Sequence, residues 1–253
     1  MITGNEVTPT STTLQARVMI FQPSIRPQLR VGEWIETSHG KCRVKGRLGQ
    51  RHADVLESIL YVAEKRKECD GGVDLLVDPA RLRRSLSENQ YSYSQIEKLL
   101  EELRSATITI ESPGFNFPII GGLVDHVVPS TKTRHNPLNG GIRNLWRVRL
   151  GVALVMLLEH DLTLKYEPLP LAKLEHGVSK AVARHILTHK NNPTGGWLLD
   201  TLIHAVYGHD ISSQTRRDAR RRIKKDMHRL AEMEIVVTDT NRVYRGKRGA
   251  LAR

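Results

Sequence analysis

Two stretches of the sequence, about 125 positions apart, predict the same order of structural elements. In each stretch a Gly-Gly pair precedes a short apolar strand, and an aspartate then marks the start of a short helix. A turn, a longer amphipathic helix and a two-stranded β-ribbon follow. Gly72 lies 124 positions before Gly196, and Ile108 lies 127 positions before Ile235. The residues themselves are not repeated, so the pattern predicts two units of similar architecture.

In the first unit, capping residues and apolar spacing set the boundaries of the elements. The dipeptide Asp78-Pro79 is typical of a helix start. Ser94 with Glu97 three residues later predicts a capping box for the longer helix. The ribbon is predicted within 107–124, where two short apolar strands flank a Pro-Gly turn.

The second unit repeats this order near the C-terminal end. Asp200 is predicted to cap a short helix over 201–207, and a long helix over 213–233 follows. A ribbon is predicted over 235–244. A helix-turn-helix with an appended hairpin is the winged-helix order. The sequence therefore predicts an α+β fold with two tandem winged-helix domains.

The predicted domain boundaries follow from composition. Residues 1–13 are rich in Thr and Ser and are expected to form a flexible tail. Residues 129–141 are rich in turn-forming residues and poor in apolar ones, which predicts a linker. This assigns 14–128 to an N-terminal winged-helix domain and 142–253 to a C-terminal, DNA-binding one.

The basic residues are concentrated at one end of the chain. Lys and Arg number 39 against 27 Asp and Glu, for a net charge of +12. Residues 1–125 contain 16 basic and 16 acidic side chains, whereas residues 213–253 contain 13 basic and 5 acidic ones. Clustered cations are typical of proteins that bind polyanions. We therefore expect double-stranded DNA to bind at the C-terminal end.

The long helix over 213–233 separates an apolar face from a basic one. With ~100° of rotation per residue, Ala219, Ile223, Met227 and Leu230 share a face. In a helix-turn-helix the second helix enters the major groove, where arginine pairs with guanine and glutamine with adenine. The residues predicted to contact DNA, from this helix and the ribbon after it, are Gln214, Arg217, Arg220, Arg221, Lys224, Lys225, His228, Arg242, Arg245 and Lys247.

A basic helix that is merely solvated is the ordinary alternative. Only Asp218 and Asp226 interrupt the basic run, and the ribbon adds further cations, which favours DNA contact. The matching helix of the first domain carries Glu97, Lys98, Glu101 and Glu102, and its carboxylates would repel phosphate. We therefore expect the first domain to dimerise, with auxiliary DNA contact from the arginines within 81–84.

No pattern in the sequence supports catalysis. The chain contains no GxxxxGK[ST] loop, no His-x-His pair and no His-x-x-Arg, which argues against an NTPase, a nicking enzyme and a tyrosine recombinase. His185 and His189 are one helical turn apart but lack an obvious third ligand, and Cys42 and Cys69 have no metal-site spacing. We expect no catalytic residue, no cofactor and no metal site.

The sequence also lacks membrane and export signals. No apolar run approaches the ~20 residues of a membrane-spanning helix. The N-terminal residues have no basic flank followed by an apolar stretch. We expect a cytoplasmic protein without a membrane partner.

Four stretches carry a family resemblance. They resemble the replication initiator (Rep) proteins of iteron-containing bacterial plasmids. The stretches are LLDTLIHAVYG, SSQTRRDARRRIKKDMHRLAEMEIVV, and WRVRLGVALVMLLEHDLTLKYEPLPLAKL followed by VSKAVARHILTH. The resemblance extends over about 145–245 and concerns architecture alone over 50–125. It implies that the second domain binds directly repeated iterons at a plasmid origin.

The resemblance has further implications for partners and residues. It implies that the first domain dimerises and remodels when dimers become DNA-bound monomers. Bound initiator would then help to open an AT-rich segment and recruit a replicative helicase. At matching positions, Arg217, Arg221 and Lys225 would face the groove, and Arg242 and Arg245 would contact the backbone.

Two other functions remain open from the residues alone. A winged-helix transcriptional regulator or autorepressor has the same elements, and a nucleoid-type protein would coat DNA without sequence preference. Direct repeats beside the gene favour an initiator, whereas a lone palindrome favours a repressor.

Overall fold

The computed structural model describes residues 9–69, 72–87, 91–135, 140–208 and 211–246. Within these ranges the helices and several small sheets form an α+β fold, and the buried apolar residues form two cores. The first core extends from Leu14 to Leu157 and the second from Leu171 to Val243. The break between the cores therefore lies after residue 157 rather than in the predicted linker.

The helices are α1 (Thr13–Arg17), α2 (Gln50–Val62), α3 (Pro79–Ser85), α4 (Tyr93–Ser105), α5 (Val152–His160), α6 (Leu169–Lys173), α7 (Gly177–Leu187), α8 (Leu199–Tyr207), α9 (Ser213–Lys225) and α10 (Met227–Glu232). The strands are β1 (Ser11–Thr12), β2 (Arg30–Thr37), β3 (Gly40–Gly46), β4 (Lys65–Cys69), β5 (Gly72–Val77), β6 (Thr107–Glu111), β7 (Ile119–Gly121), β8 (Val124–His135), β9 (Ile142–Leu150), β10 (Thr163–Leu164), β11 (Trp197–Leu198), β12 (Ile235–Val237) and β13 (Arg242–Arg245).

The ribbon that completes the first unit is not the predicted one. Strands β6 and β7, within 107–124, join β2 and β3 in a sheet of order β2-β3-β6-β7. Strand β5 instead pairs with β9 in a sheet of order β4-β5-β9-β8, with Leu75 opposite Val148. The first unit thus contains α2, β4, β5, α3 and α4, and the hairpin β8–β9 follows after β6 and β7.

The prediction of a linker at 129–141 is wrong for residues 129–135, which form the second half of β8. This half of the strand pairs with β9, and Thr133 lies opposite Asn144. Most of its side chains are exposed, so the strand lacks the apolar alternation that would have revealed it. Residues 136–139 lie outside the described residues.

The second unit has the predicted order with one interruption. Its sheet has the order β11-β13-β12, and helices α7, α8 and α9 pack on one another. The predicted single helix over 213–233 is divided at Asp226 into α9 and α10. The buried carboxylate of Asp226 accepts hydrogen bonds from the backbone N–H groups of Glu175 (3.2 Å) and His176 (3.0 Å) at the start of α7. This contact lies far away in sequence, so helical periodicity does not predict it.

The prediction of a flexible tail over 1–13 is wrong for its described part. Ser11 and Thr12 form β1, which pairs with Thr163 and Leu164 of β10, and residues 10–13 are buried. The N-terminal segment therefore packs against the connection between the two cores. Residues 1–8 lie outside the described residues.

Two predicted caps also differ. The capping box of α4 is made by Ser92 and Gln95 rather than by Ser94 and Glu97, because α4 begins at Tyr93. Helix α8 begins at Leu199, so Asp200 lies in its first turn instead of capping it. Asp78 does cap α3, accepting from the N–H of Ala80 at 2.9 Å.

A buried network of charges joins the two halves of the molecule. Arg184 on α7 donates to Glu57 on α2 at 2.8 and 2.7 Å, to Asp54 at 2.6 Å and to Gln50 at 2.7 Å. Lys180, one turn earlier, donates to Asp54 at 2.5 Å. All five side chains are nearly inaccessible to solvent. Two cations and two anions therefore balance each other between helices of different cores.

The buried side chain of His52 is expected to make the stability of the protein depend on pH. Its Nδ1 accepts a hydrogen bond from the N–H of Gly49 (3.1 Å), so its ring is neutral and Nε2 donates to Glu102 (2.7 Å). Burial lowers the pKa of His52 despite the raising effect of Glu102. Unfolding therefore takes up a proton below the unfolded-state pKa of about 6.5, and stability is lost as the pH falls.

We expect His52→Gln, which keeps an acceptor for the Gly49 N–H, to flatten this loss. Between pH 7 and pH 5 the wild-type free energy of unfolding should fall more steeply than that of the variant. The difference in slope is limited to about 1.4 kcal/mol per pH unit for one proton. Urea titrations at several pH values measure it, and parallel curves for the two proteins would contradict the assignment.

Candidate nucleic-acid interface

Helix α9 exposes its basic face because its apolar face is buried in the second core. Ser212 caps the helix by accepting from the N–H of Thr215 at 3.1 Å. Ala219 and Ile223 are buried, as is Leu230 in α10. The helical spacing predicted these three residues and Met227, which is half-buried against the same core. The opposite face is consequently open to solvent.

Most of the predicted DNA-contacting residues lie on this open face. The exposed ones are Gln214, Arg217, Arg221, Lys224, Lys225 and His228. Three of these side chains join in a short chain of contacts with Asp218. Arg217 donates to Gln214 at 2.6 Å, Gln214 donates to Asp218 at 3.0 Å, and Arg221 pairs with Asp218 at 3.3 Å. These contacts hold the side chains along the helix surface with further donors still free.

Arg220 has a different position from the other basic residues of α9. Its guanidinium pairs with both carboxylate oxygens of Asp200 in the first turn of α8. The hydrogen bonds from Arg220 lower the pKa of Asp200. This bidentate pair ties α9 to α8, so Arg220 fixes the angle of the helix rather than extending freely from it.

The ribbon β12–β13 is anchored to the segment that precedes β11. Arg245 donates to the carbonyl of His189 at 2.9 Å, and its backbone exchanges two hydrogen bonds of 2.8 Å with the side chain of Asn192. Arg242 donates to the carbonyl of Gly196 at 3.4 Å. Both arginines are half-buried, and each has N–H groups left over for another partner. Lys247 lies outside the described residues.

Gly196 is required where the ribbon meets this segment. Its φ is +73°, in the left-handed region that favours glycine. A Cβ there would lie 2.6 Å from the ring of Tyr244, whose hydroxyl donates to the carbonyl of Gly195 at 3.0 Å. The second Gly-Gly pair therefore permits close approach of β13.

The structure also exposes cations that the sequence prediction omitted. Arg222 on α9 is exposed, as are Lys132 and Arg147 on the hairpin β8–β9. The signal for the hairpin was present in the sequence, because residues 126–158 contain five basic residues and no Asp or Glu. Because 129–141 was predicted to be a linker, these cations were not assigned to one strand pair and were not grouped on one surface.

One cluster of potential metal ligands is used for folding. Glu175, His176 and Asp226 lie close enough to share an ion. The two carboxylate oxygens of Asp226 already accept backbone N–H groups, and Arg229 pairs with Glu175 at 2.7 Å. The arrangement is therefore accounted for as the cap of α7. Among the described helices, none combines the length and apolar character needed to cross a membrane.

Comparison with known proteins shows similarity in structure without similarity in sequence. No protein-family model matches the sequence, and no curated protein matches it. The structure is similar to a crystal structure of domains 2-3 of RctB (RctB-155-483), with a TM-score of 0.54 and 10% sequence identity. The match covers 90% of this chain and 88% of the RctB chain. The chain therefore shares the fold of RctB domains 2-3.

Proposed function

We propose that the protein binds double-stranded DNA and acts as a replication initiator at origin repeats. The observation that carries the proposal is the exposed basic face of α9, which packs on α7 and α8, while α10 packs on the ribbon strand β12. The order α7, β11, α8, α9, α10, β12, β13 with the sheet order β11-β13-β12 supports a winged-helix assignment for this unit. In that architecture α9 is the helix that enters the major groove.

The initiator role rests on two independent similarities. RctB, whose domains 2-3 share this fold, is a replication initiator. The sequence of the second unit resembles the Rep proteins of iteron plasmids. Together they favour an initiator over a regulator. Binding to direct repeats and recruitment of a replicative helicase follow from the resemblance to the Rep proteins alone.

The first unit is proposed to serve assembly and backbone contact. With β4, β6 and β7 set aside, its order α2, β5, α3, α4, β8, β9 and the order β5-β9-β8 within the sheet β4-β5-β9-β8 parallel those of the second unit. The exposed carboxylates of Glu97 and Glu101 on α4 disfavour entry into a DNA groove. The helix therefore suits a homodimer contact, whereas Lys132 and Arg147 on the hairpin suit phosphate.

Substitution of the helix arginines tests whether α9 reads bases. We expect Arg217→Ala and Arg221→Ala each to cost about 1–3 kcal/mol on a duplex enriched from a random pool by the wild-type protein. The cost on unselected duplex should be smaller, because phosphate contacts are independent of sequence. Fluorescence anisotropy measures both, with Arg104→Ala on α4 as the matched control.

The results of these binding measurements distinguish base contact from phosphate contact by α9. Equal losses on both duplexes would show that α9 contacts phosphate only. Footprinting on the DNA that flanks the gene then distinguishes the biological role. Protected direct repeats support an initiator, and a single protected palindrome would favour a regulator.

A further inference from the structure

Two histidines at the end of α7 face each other across a short gap. His185 lies in the last turn of the helix, and His189 follows it by four residues. Their Nε2 atoms are 3.4 Å apart. This separation is longer than the ~2.9–3.0 Å of a typical hydrogen bond from N–H in proteins. The pair is therefore a poor hydrogen bond.

The same separation matches the distance between two nitrogen ligands of a tetrahedral metal ion. Zinc binds imidazole nitrogen at about 2.0–2.1 Å, and tetrahedral angles then place two nitrogens about 3.3–3.4 Å apart. An ion can thus bind both Nε2 atoms without moving either ring. His185 lies on α7 and His189 lies two residues beyond its end, and the two rings are adjacent, with centroids 5.2 Å apart.

The protonation state of the two rings suits a metal ligand. Burial lowers the pKa of His185 to about 3 and also lowers the pKa of His189. Both rings are therefore neutral at neutral pH, which is the form that binds metals. The Nδ1 of His185 is buried and has no hydrogen-bond partner among the described residues, so it would carry the ring proton without an acceptor while Nε2 binds the ion.

The surroundings leave room for solvent ligands and an entry route. His185 lines a cavity of about 220 Å³ that Glu36, His39 and His204 also line. His189 is only partly buried, so the pair is open to solvent on its side. Arg17, which donates to Thr188 at 2.8 Å, adds a nearby positive charge that weakens cation binding. In the described residues neither His39 nor His204 is close enough to complete a three-ligand cluster.

We propose that His185 and His189 bind one divalent transition-metal ion, with water as the remaining ligands. The chemical class is a borderline ion that prefers imidazole, such as Zn²⁺. The sequence alone had favoured an ordinary histidine pair, and the separation of the Nε2 atoms reverses that expectation. Because the carbonyl of His189 accepts from Arg245, a bound ion would also fix the residue that anchors the ribbon.

Calorimetric titration of the full chain with zinc chloride, without a polyhistidine tag, tests the site. We expect one ion per chain at micromolar affinity. His189→Gln keeps a polar side chain and should weaken binding at least about tenfold. His160→Gln removes an exposed histidine at the end of α5 and should change the affinity less than about twofold.

Thermal unfolding gives a second measurement that does not depend on heat of binding. Zinc should raise the Tm of the wild type and of His160→Gln, and it should leave the Tm of His189→Gln unchanged. Unfolding of His189→Gln without metal at the wild-type temperature would show that the variant folds. Equal zinc affinity in the wild type and His189→Gln, or no binding by the wild type at millimolar zinc, would overturn the proposal.

Discussion

Replacing Arg184 with methionine is expected to lower the free energy of unfolding by about 3–5 kcal/mol, because removal of one partner leaves a buried charge uncompensated. Arg184 supplies both hydrogen bonds that Glu57 receives from α7, and it shares Asp54 with Lys180. In the variant the carboxylate of Glu57 would remain buried without its cation. Burial would raise the pKa of Asp54, but Lys180 and Arg184 outweigh burial and lower it.

Urea denaturation of Arg184→Met beside Arg222→Met measures this effect. Arg222 is an exposed arginine of α9, so its replacement should change stability by less than about 0.5 kcal/mol. Adding Glu57→Leu to Arg184→Met should recover much of the loss, because apolar replacement of a whole buried pair is often nearly neutral. A loss below about 1 kcal/mol in the single variant would mean that water reaches the network.

Local sequence patterns do not predict the buried charge network between α2 and α7. Asp54 and Glu57 resemble solvent-facing residues of an amphipathic helix, and Lys180 and Arg184 resemble an ordinary i,i+4 pair. Their partners lie 126 to 130 positions away, so no local rule connects them. The pairing also bears on domain boundaries, since fragments separated at 129–141 would cut the hairpin β8–β9 and separate both cations from both anions.

Local patterns predicted the buried face of α9 well and the first ribbon poorly. The buried face of α9 follows from periodicity in a single helix, and Ala219 and Ile223 are buried as expected. Strand β8 depends on pairing with β9 and contains many polar residues, so its sequence resembles a loop. Asp200 was predicted as a cap, but its contact with Arg220 depends on the packing of α8 against α9. Side-chain periodicity thus identifies a face, whereas tertiary contacts decide which cations on that face are free.

Salt should weaken DNA binding by about 10²–10⁴-fold between 50 and 200 mM, because each phosphate contact releases counterions. Four to eight engaged cations give a slope of log K against log salt between roughly −4 and −7, at ~−0.9 per contact. Arg217, Arg221, Lys224 and Lys225 are exposed and supply the lower number. Arg242 and Arg245 would each add about one unit if their free N–H groups reach the backbone.

The double variant Lys224→Ala, Lys225→Ala isolates the contribution of α9, because neither lysine takes part in an ion pair among the described residues. Its slope should be shallower than the wild-type slope by about two units if both lysines contact phosphate. Lys98→Ala on the acidic helix α4 should leave the slope unchanged. Fluorescence anisotropy over a salt series gives all three slopes. A wild-type slope near −1 that the double variant shares would mean that the basic face is only solvated, and the DNA-binding proposal would be abandoned.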